Sequence, residues 1–73
     1  MTRFEAGKIY EGFCGSVVKY EIVKRTAKTV TYQEIYHYER FNEYKGVQKT
    51  KRFKTWNGDK EAIFLDSGET VVA

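Results

Sequence analysis

Apolar and polar residues alternate with a period of two along much of this chain, and the clearest alternation runs from Val17 to Arg25. Val18, Tyr20 and Ile22 share one face of that segment. The charged residues on the opposite face are Lys19, Glu21 and Arg25. Because side chains alternate between the two faces of a strand, this pattern predicts a half-buried β-strand.

The next segment, residues 28–38, is dense in β-branched and aromatic residues, which pack well on a pleated surface. Its inward face begins with Val30 and Tyr32. An unbroken alternation would place Ile35 outside, so we expect a bulge or bend near Gln33–Glu34 that re-aims the strand.

Short connections join these segments into hairpins. Residues 25–28 are too few for anything except a tight reversal, so they predict an antiparallel hairpin with a basic turn. A further strand from Lys8 to Cys14 precedes the pair, and Gly15-Ser16 offers the positive-φ residue of another turn. The later elements that we expect are a longer connection over Glu39–Gly46, a strand over Val47–Trp56, a turn at Asn57-Gly58, a strand over Ala62–Leu65, a turn at Asp66–Gly68 and a last strand over Thr70–Val72.

No part of the chain places apolar residues at helical spacing without charged interruptions, so five or six strands account for the pattern. The predicted fold class is all-β. A flat sheet of this size would leave one face and two edges exposed, which favours closure into a small antiparallel barrel of SH3-like or OB-like type. With 73 residues, of which 41% are hydrophobic, we expect residues 1–73 to form a single domain with one modest core.

The cysteine content and the hydropathy of the chain predict a cytoplasmic protein that does not contact a membrane. The single cysteine, Cys14, excludes a disulfide framework and a cysteine-rich zinc site. The longest uncharged stretch, Gly12–Val18, is far shorter than the roughly 20 apolar residues of a spanning helix, and the first residues lack the apolar centre of a secretory signal. The acidic residues do not have the spacing of a calcium loop, so we expect no metal and no other cofactor.

The net charge of +3 conceals a strong segregation along the chain. Residues 16–31 sum to +3, and residues 45–54 carry five cations and no acid. The final segment, residues 55–73, sums to −3. If the two basic segments lie on neighbouring surfaces of the folded chain, they form one positive patch that attracts phosphates.

This charge pattern predicts a non-enzymatic module that binds nucleic acid, either DNA or RNA. The candidate phosphate contacts are Lys24, Arg25, Lys28, Lys49, Lys51, Arg52 and Lys54. The aromatic residues available for base stacking are Tyr36, Tyr38 and Trp56. Two plainer interpretations stay open: the lysines protect an exposed edge strand from pairing, and most of the aromatic rings fill a core that has only twelve Leu, Ile and Val residues to draw on.

Three blocks of sequence resemble short uncharacterised β-rich proteins of Gram-positive phages and integrative mobile elements. The blocks are Phe4-x-x-Gly7-Lys8-x-Tyr10, the run Lys24–Thr31, and Lys51-Arg52-Phe53-Lys54. The resemblance covers about half of the chain, and the segment from Asp66 to Ala73 departs from it. It implies one of two roles: binding the nucleic acid of the element, or binding and inhibiting a host defence protein, as small anti-CRISPR-like proteins do.

Two alternatives to nucleic-acid binding therefore stand. An inhibitor would present an acidic face to a basic partner, and its candidate residues are Asp59, Glu61, Asp66 and Glu69. A small metal-free ribonuclease would use His37 and Arg40 for general acid–base chemistry, although alternation sends the neighbouring tyrosines to the face opposite His37. An open edge strand would in addition allow a homodimer through sheet extension.

Overall fold

The computed structural model describes residues 2–12 and 18–73, and these residues form seven β-strands and no helix. The strands are β1 (Ile9–Glu11), β2 (Lys19–Arg25), β3 (Thr29–Tyr36), β4 (Tyr44–Arg52), β5 (Lys54–Trp56), β6 (Lys60–Phe64) and β7 (Thr70–Val72). The all-β prediction is confirmed. One strand more than expected is present because the segment predicted over Val47–Trp56 breaks at Phe53, whose side chain packs against the core.

The strands form two antiparallel sheets in chain order. The first sheet has the order β1-β2-β3-β4, so its first three strands pair consecutively as the predicted hairpins require, and the second sheet has the order β5-β6-β7. Hydrogen bonds do not close the sheets into one barrel within residues 2–12 and 18–73. Isolated bridges at Thr2–Lys60 and Gly12–Val71 tie the N-terminal part of the chain to the second sheet. No described segment is a helix long and apolar enough to cross a membrane.

Within the described residues, the turns lie at the positions predicted from the sequence. In the β2–β3 turn, the Thr26 hydroxyl accepts hydrogen bonds from the backbone N–H groups of Lys28 and Thr29, which are 3.2 and 3.0 Å away. Asn57 and Gly58 both have positive φ angles, 52° and 79°, and they connect β5 to its antiparallel partner β6. The turn predicted at Gly15-Ser16 lies outside the described residues.

A bulge in β2 overturns the predicted orientation of Arg25. Ile22 pairs with Tyr32 but Lys24 pairs with Thr31, so Val23 is an extra residue in β2. Side chains after the bulge therefore switch faces. Arg25, which simple alternation places on the outer face, lies opposite the fully buried Val30 and points to the core side.

A second irregularity lies opposite the predicted one. Gln33 pairs with Gln48 but Ile35 pairs with Lys45, so the extra residue belongs to β4 and not to β3. The disturbance near Gln33–Glu34 was predicted, but its expected effect on β3 was wrong because β3 keeps its alternation against β2. Ile35 consequently stays on the face opposite Tyr32, where it is nevertheless buried.

The main core lies between the two sheets. Its buried members are Phe4, Tyr20, Ile22, Val30, Tyr32, Ile63 and Val71. The predicted inward positions Tyr20, Ile22, Val30 and Tyr32 are confirmed. Each fully buried aliphatic or aromatic side chain contributes about 1.5–3 kcal/mol, so this small set carries most of the hydrophobic stabilisation of the fold.

An ion pair between the half-buried Arg25 and the buried Glu61 borders the core. The Arg25 guanidinium donates to both carboxylate oxygens of Glu61, at 2.6 and 3.0 Å, and to the carbonyl oxygen of Phe4 at 2.8 Å. The Phe4 N–H also donates to Glu61 Oε1 at 2.8 Å, and Glu61 is 3% exposed. This network ties β2, β6 and the N-terminal segment together.

Acid is expected to weaken this network. Burial alone would raise the pKa of the Glu61 carboxyl, but the hydrogen bonds from Arg25 and from the Phe4 N–H hold it below its ordinary value of 4.5. A carboxyl whose pKa is lowered by folding contributes stability above its unfolded pKa and loses it as the pH falls through its folded pKa. Denaturant midpoints should therefore drop below about pH 4.5. Carbon-13 detection of the Glu61 carboxyl checks the cause directly, and a titration at or above 4.5 would contradict it.

Candidate nucleic-acid interface

The seven predicted phosphate contacts do not form one surface. Arg25 is held in the core by Glu61, as described above. Lys49 and Lys51 project from the inner face of β4, because they pair with Tyr32 and Val30. Their ammonium groups are held by Glu34 at 3.3 Å and by Asp66 at 2.7 Å, respectively. These three cations therefore already have intramolecular carboxylate partners.

The other four predicted cations, which we call the basic cluster, are Lys24, Lys28, Arg52 and Lys54. All four are exposed, and none forms an ion pair with a carboxylate of the described residues. Lys24 lies opposite Thr31, and Arg52 lies opposite Thr29, so both belong to the outer face of the first sheet.

The β2–β3 turn brings Lys28 to the same region. The Lys28 carbonyl accepts a hydrogen bond from the Phe53 N–H at 3.2 Å, which places the turn beside the end of β4. Lys54 follows Phe53 at the start of β5, within about 7 Å of Arg52 along an extended backbone. The basic cluster thus lies where the first sheet continues into the second.

An aromatic pair, the half-buried Trp56 and the exposed Phe64, follows the basic cluster on the second sheet. The rings of Trp56 and Phe64 have centroids 6.1 Å apart at an interplanar angle of 43°. The Lys54 ammonium lies 5.9 Å from the centre of the Phe64 ring. Pairing of Lys54 with Ala62 and of Trp56 with Lys60 places these side chains on one outer face.

Sequence reasoning identified Trp56 in this group and missed Phe64 and Lys60. The available signal was the Asn57-Gly58 turn, since alternation away from a hairpin turn shows which side chains share a face. Phe64 is 42% exposed, and Lys60 is exposed directly opposite Trp56. Both residues extend the surface that the basic cluster begins.

Tyr36 and Tyr38 lie at the other end of the first sheet. The seven residue steps from Thr29 to Tyr36 span about 23 Å of extended strand, so Tyr36 is remote from the β2–β3 turn. Its ring stacks on Tyr44 with centroids 4.8 Å apart, and its hydroxyl donates to Glu34 at 3.0 Å. These two tyrosines are close to the basic turn in sequence, but β3 carries them away from it.

The four acidic candidates do not form one exposed face. Glu61 is buried with Arg25, and Asp66 is paired with Lys51. The Glu69 carboxylate lies against Gly12, in the space that a Cβ atom at position 12 would occupy. Asp59 is exposed in the turn between β5 and β6.

His37 lies in the connection between β3 and β4, with a positive φ of 55°. Its carbonyl accepts a hydrogen bond from the Arg40 N–H at 3.0 Å, and its ring is 6.2 Å from that of Tyr44. Among the described residues, no carboxylate is hydrogen-bonded to its imidazole, and no group of three or more His, Cys, Asp and Glu side chains could hold a metal ion.

Comparisons of the chain with protein-family models, with curated proteins and with solved structures find no match. A functional inference for this chain consequently rests on the geometry of its own side chains.

Proposed function

We propose that the protein is a non-enzymatic module that binds single-stranded nucleic acid through the basic cluster and the Trp56–Phe64 pair. The observation that carries the proposal is the division of the cations. Those on the inner face have carboxylate partners, whereas the four of the basic cluster are exposed and unpaired among the described residues, and one of them, Lys54, lies beside the exposed Phe64 ring. Such cations are available to phosphates, and such rings are available to bases.

Single strands fit this surface better than duplexes. Stacking on an aromatic ring contributes about 1–3 kcal/mol per base, and only unpaired bases offer their faces freely. If all four cations of the basic cluster contact phosphates, the slope of log affinity against log salt should be about −3. Binding by every cation of the chain would give a much steeper slope, so the measured slope distinguishes the proposed site from indiscriminate binding.

Charge reversal within the basic cluster should abolish most of the binding. The chain has one tryptophan, so quenching of Trp56 fluorescence by an oligothymidylate of about twelve nucleotides reports directly on the aromatic pair. Lys28→Glu/Arg52→Glu should weaken binding about tenfold or more at about 50 mM salt. The matched control, Lys8→Glu/Arg40→Glu, makes the same change in net charge at two exposed residues outside the cluster.

Equal losses in the two double variants would show that net charge alone drives the association and would contradict the proposal. The same conclusion follows if the wild-type protein leaves Trp56 fluorescence unchanged at low salt. A duplex of the same sequence serves as the comparison ligand, and preferential duplex binding would contradict the assignment to single strands.

Binding to a host protein is a second candidate function, because the far end of the first sheet exposes a group of large apolar side chains. Phe41 is fully exposed, Val47 is 78% exposed and Tyr44 is 56% exposed. Clustered exposed apolar residues mark interaction sites more often than isolated ones do. An inhibitor of a defence protein would use this group in place of the acidic face expected from sequence. No arrangement at His37 favours a ribonuclease.

We further propose that the two sheets are parts of an opened small barrel. The chain passes from β4 into β5 with a break at Phe53 only, and the Gly12–Val71 bridge joins the region of β1 to β7. This sequential order differs from the Greek-key order of an OB-fold and is closer to an SH3-like arrangement. A cytoplasmic location and an origin in a mobile element remain predictions.

A further inference from the structure

Among residues 2–12 and 18–73, no strand covers the outer edge of β4. β4 has nine residues and pairs with β3 along one side, and no described residue pairs with its other side. Such an edge presents a row of backbone N–H and C=O groups that can template another strand. Among the strands described, β4 is also the longest, so it offers the most extensive pairing.

A groove of about 480 Å³ runs beside this edge. Lys49, Thr50 and Lys51 form one wall, and Leu65, Asp66 and Ser67 of the β6–β7 turn form the other. Tyr32 and Glu34 of β3 complete its lining. The groove is therefore the opening between the two sheets, and an extended chain lying in it would follow β4.

The positive charge of β4 indicates what kind of strand can pair with its edge. The strand has no acid, and two of its four cations, Lys49 and Lys51, line the groove, whereas Lys45 and Arg52 lie on the outer face. In a second copy paired antiparallel about Gln48, Lys45 would face Lys51, and like charges directly opposite each other destabilise a strand pair. An acidic strand would instead place its carboxylates opposite these cations.

An internal acid already occupies part of this site. The Asp66 carboxylate accepts a hydrogen bond from Lys51 Nζ at 2.7 Å across the groove, although the Asp66 side chain is 94% exposed. The turn carboxylate is thus held by little besides this pair, and an incoming carboxylate can replace it. This internal pair shows that Lys51 can bind a carboxylate in the groove.

We propose that the free edge of β4 binds an extended acidic segment of another protein by strand addition, with Asp66 as an internal competitor. Backbone hydrogen bonds to β4 would supply affinity, and carboxylates on alternate residues of the segment would supply specificity. This role goes beyond the proposed nucleic-acid binding, because it uses the edge and inner face of β4, whereas the basic cluster lies on the outer face.

The test uses a capped peptide, Val-Glu-Val-Glu-Val-Glu-Val-Glu-Val, whose length matches the nine residues of β4. Two control peptides carry either lysine at every glutamate position or proline at the central position. The acidic peptide should bind saturably and should slow amide hydrogen exchange within β4. The lysine peptide should fail for lack of charge complementarity, and the proline peptide should fail because proline cannot donate a strand hydrogen bond.

Variants of the protein then identify the side chains that contact the acidic peptide. Asp66→Asn should raise the affinity for the acidic peptide about threefold or more, because it removes the competitor, and Lys51→Gln should lower it by a similar factor. Lys8→Gln, which also removes a lysine from an ion pair with an exposed acid, is the matched control outside the groove and should bind as wild type. The amide spectrum of each variant verifies that the fold is retained.

Several outcomes would overturn the proposal. These are the absence of binding, equal binding of the lysine peptide, slowed exchange outside β4, and a dimer formed through β4 that the acidic peptide does not dissociate. Competition between the peptide and the oligothymidylate would place both ligands on one surface and would also overturn it. Loss of oligothymidylate binding in Lys28→Glu/Arg52→Glu with intact peptide binding would support both proposals separately.

Discussion

Glu61→Ala is expected to destabilise the protein strongly at neutral pH, enough to populate the unfolded state. The substitution leaves the Arg25 guanidinium inside the fold without its carboxylate and removes the acceptor of the Phe4 N–H. Removing one partner of a buried ion pair costs about 3–5 kcal/mol. A single core in a chain of 73 residues rarely supplies more than about 3–5 kcal/mol in total. Urea titration followed by circular dichroism measures the loss.

Two comparisons make this prediction specific. Asp66→Ala also removes an acid from an ion pair, but its carboxylate is exposed, so the stability of that variant should stay close to wild type. Arg25→Met/Glu61→Leu replaces the pair with apolar side chains and should recover much of the stability lost in Glu61→Ala. A Glu61→Ala protein as stable as Asp66→Ala would show that the network contributes nothing measurable.

The strands were predictable because their signals are local. Alternation between Val18 and Ile22 identified β2, and the conformational preferences of Asn57-Gly58 identified the hairpin of β5 and β6. The exposure of the cations was not predictable in the same way. The bulge at Val23 has no clear signature in sequence, yet it decides that Arg25 points inward and Lys24 outward.

Long-range pairing explains the other differences at the candidate site. Glu61 was interpreted as a surface acid because charged residues are seldom buried without a partner, and its partner lies 36 residues away in the chain. Lys51 meets Asp66 only because the fold places the β6–β7 turn, which contains Asp66, across the groove from β4. The sequence shows which two segments are basic. It does not show that the folded chain places their cations in three different environments, namely the core, the groove and the outer surface.

The placement of the cations in different environments decides which variants test binding alone. Arg25 stabilises the fold through Glu61, and Lys51 holds the Asp66 carboxylate across the groove, so substitutions of these cations change folding or local geometry together with charge. The cations of the basic cluster carry no such role among the described residues. Binding assays on Lys28 and Arg52 variants can therefore be interpreted without a stability correction, which does not hold for Arg25.

Phe4→Ala is expected to destabilise the protein by about 3–5 kcal/mol, enough to populate the unfolded state at room temperature. Phe4 is 1% exposed, and its ring meets Tyr10 edge to face at 5.1 Å, so truncation leaves a cavity and removes an aromatic contact. The same residue holds Glu61 and Arg25 through its backbone, so the N-terminal segment is an integral part of the core.

Phe41→Ala is the matched control for this substitution, since it deletes the same atoms from a fully exposed ring. Its free energy of unfolding should stay within about 0.5 kcal/mol of wild type. Thermal and urea denaturation of the two variants measure the difference. Equal free energies of unfolding would mean that burial of the Phe4 ring does not stabilise the core. The backbone contacts of Phe4 with Arg25 and Glu61 would then not be important for the fold either.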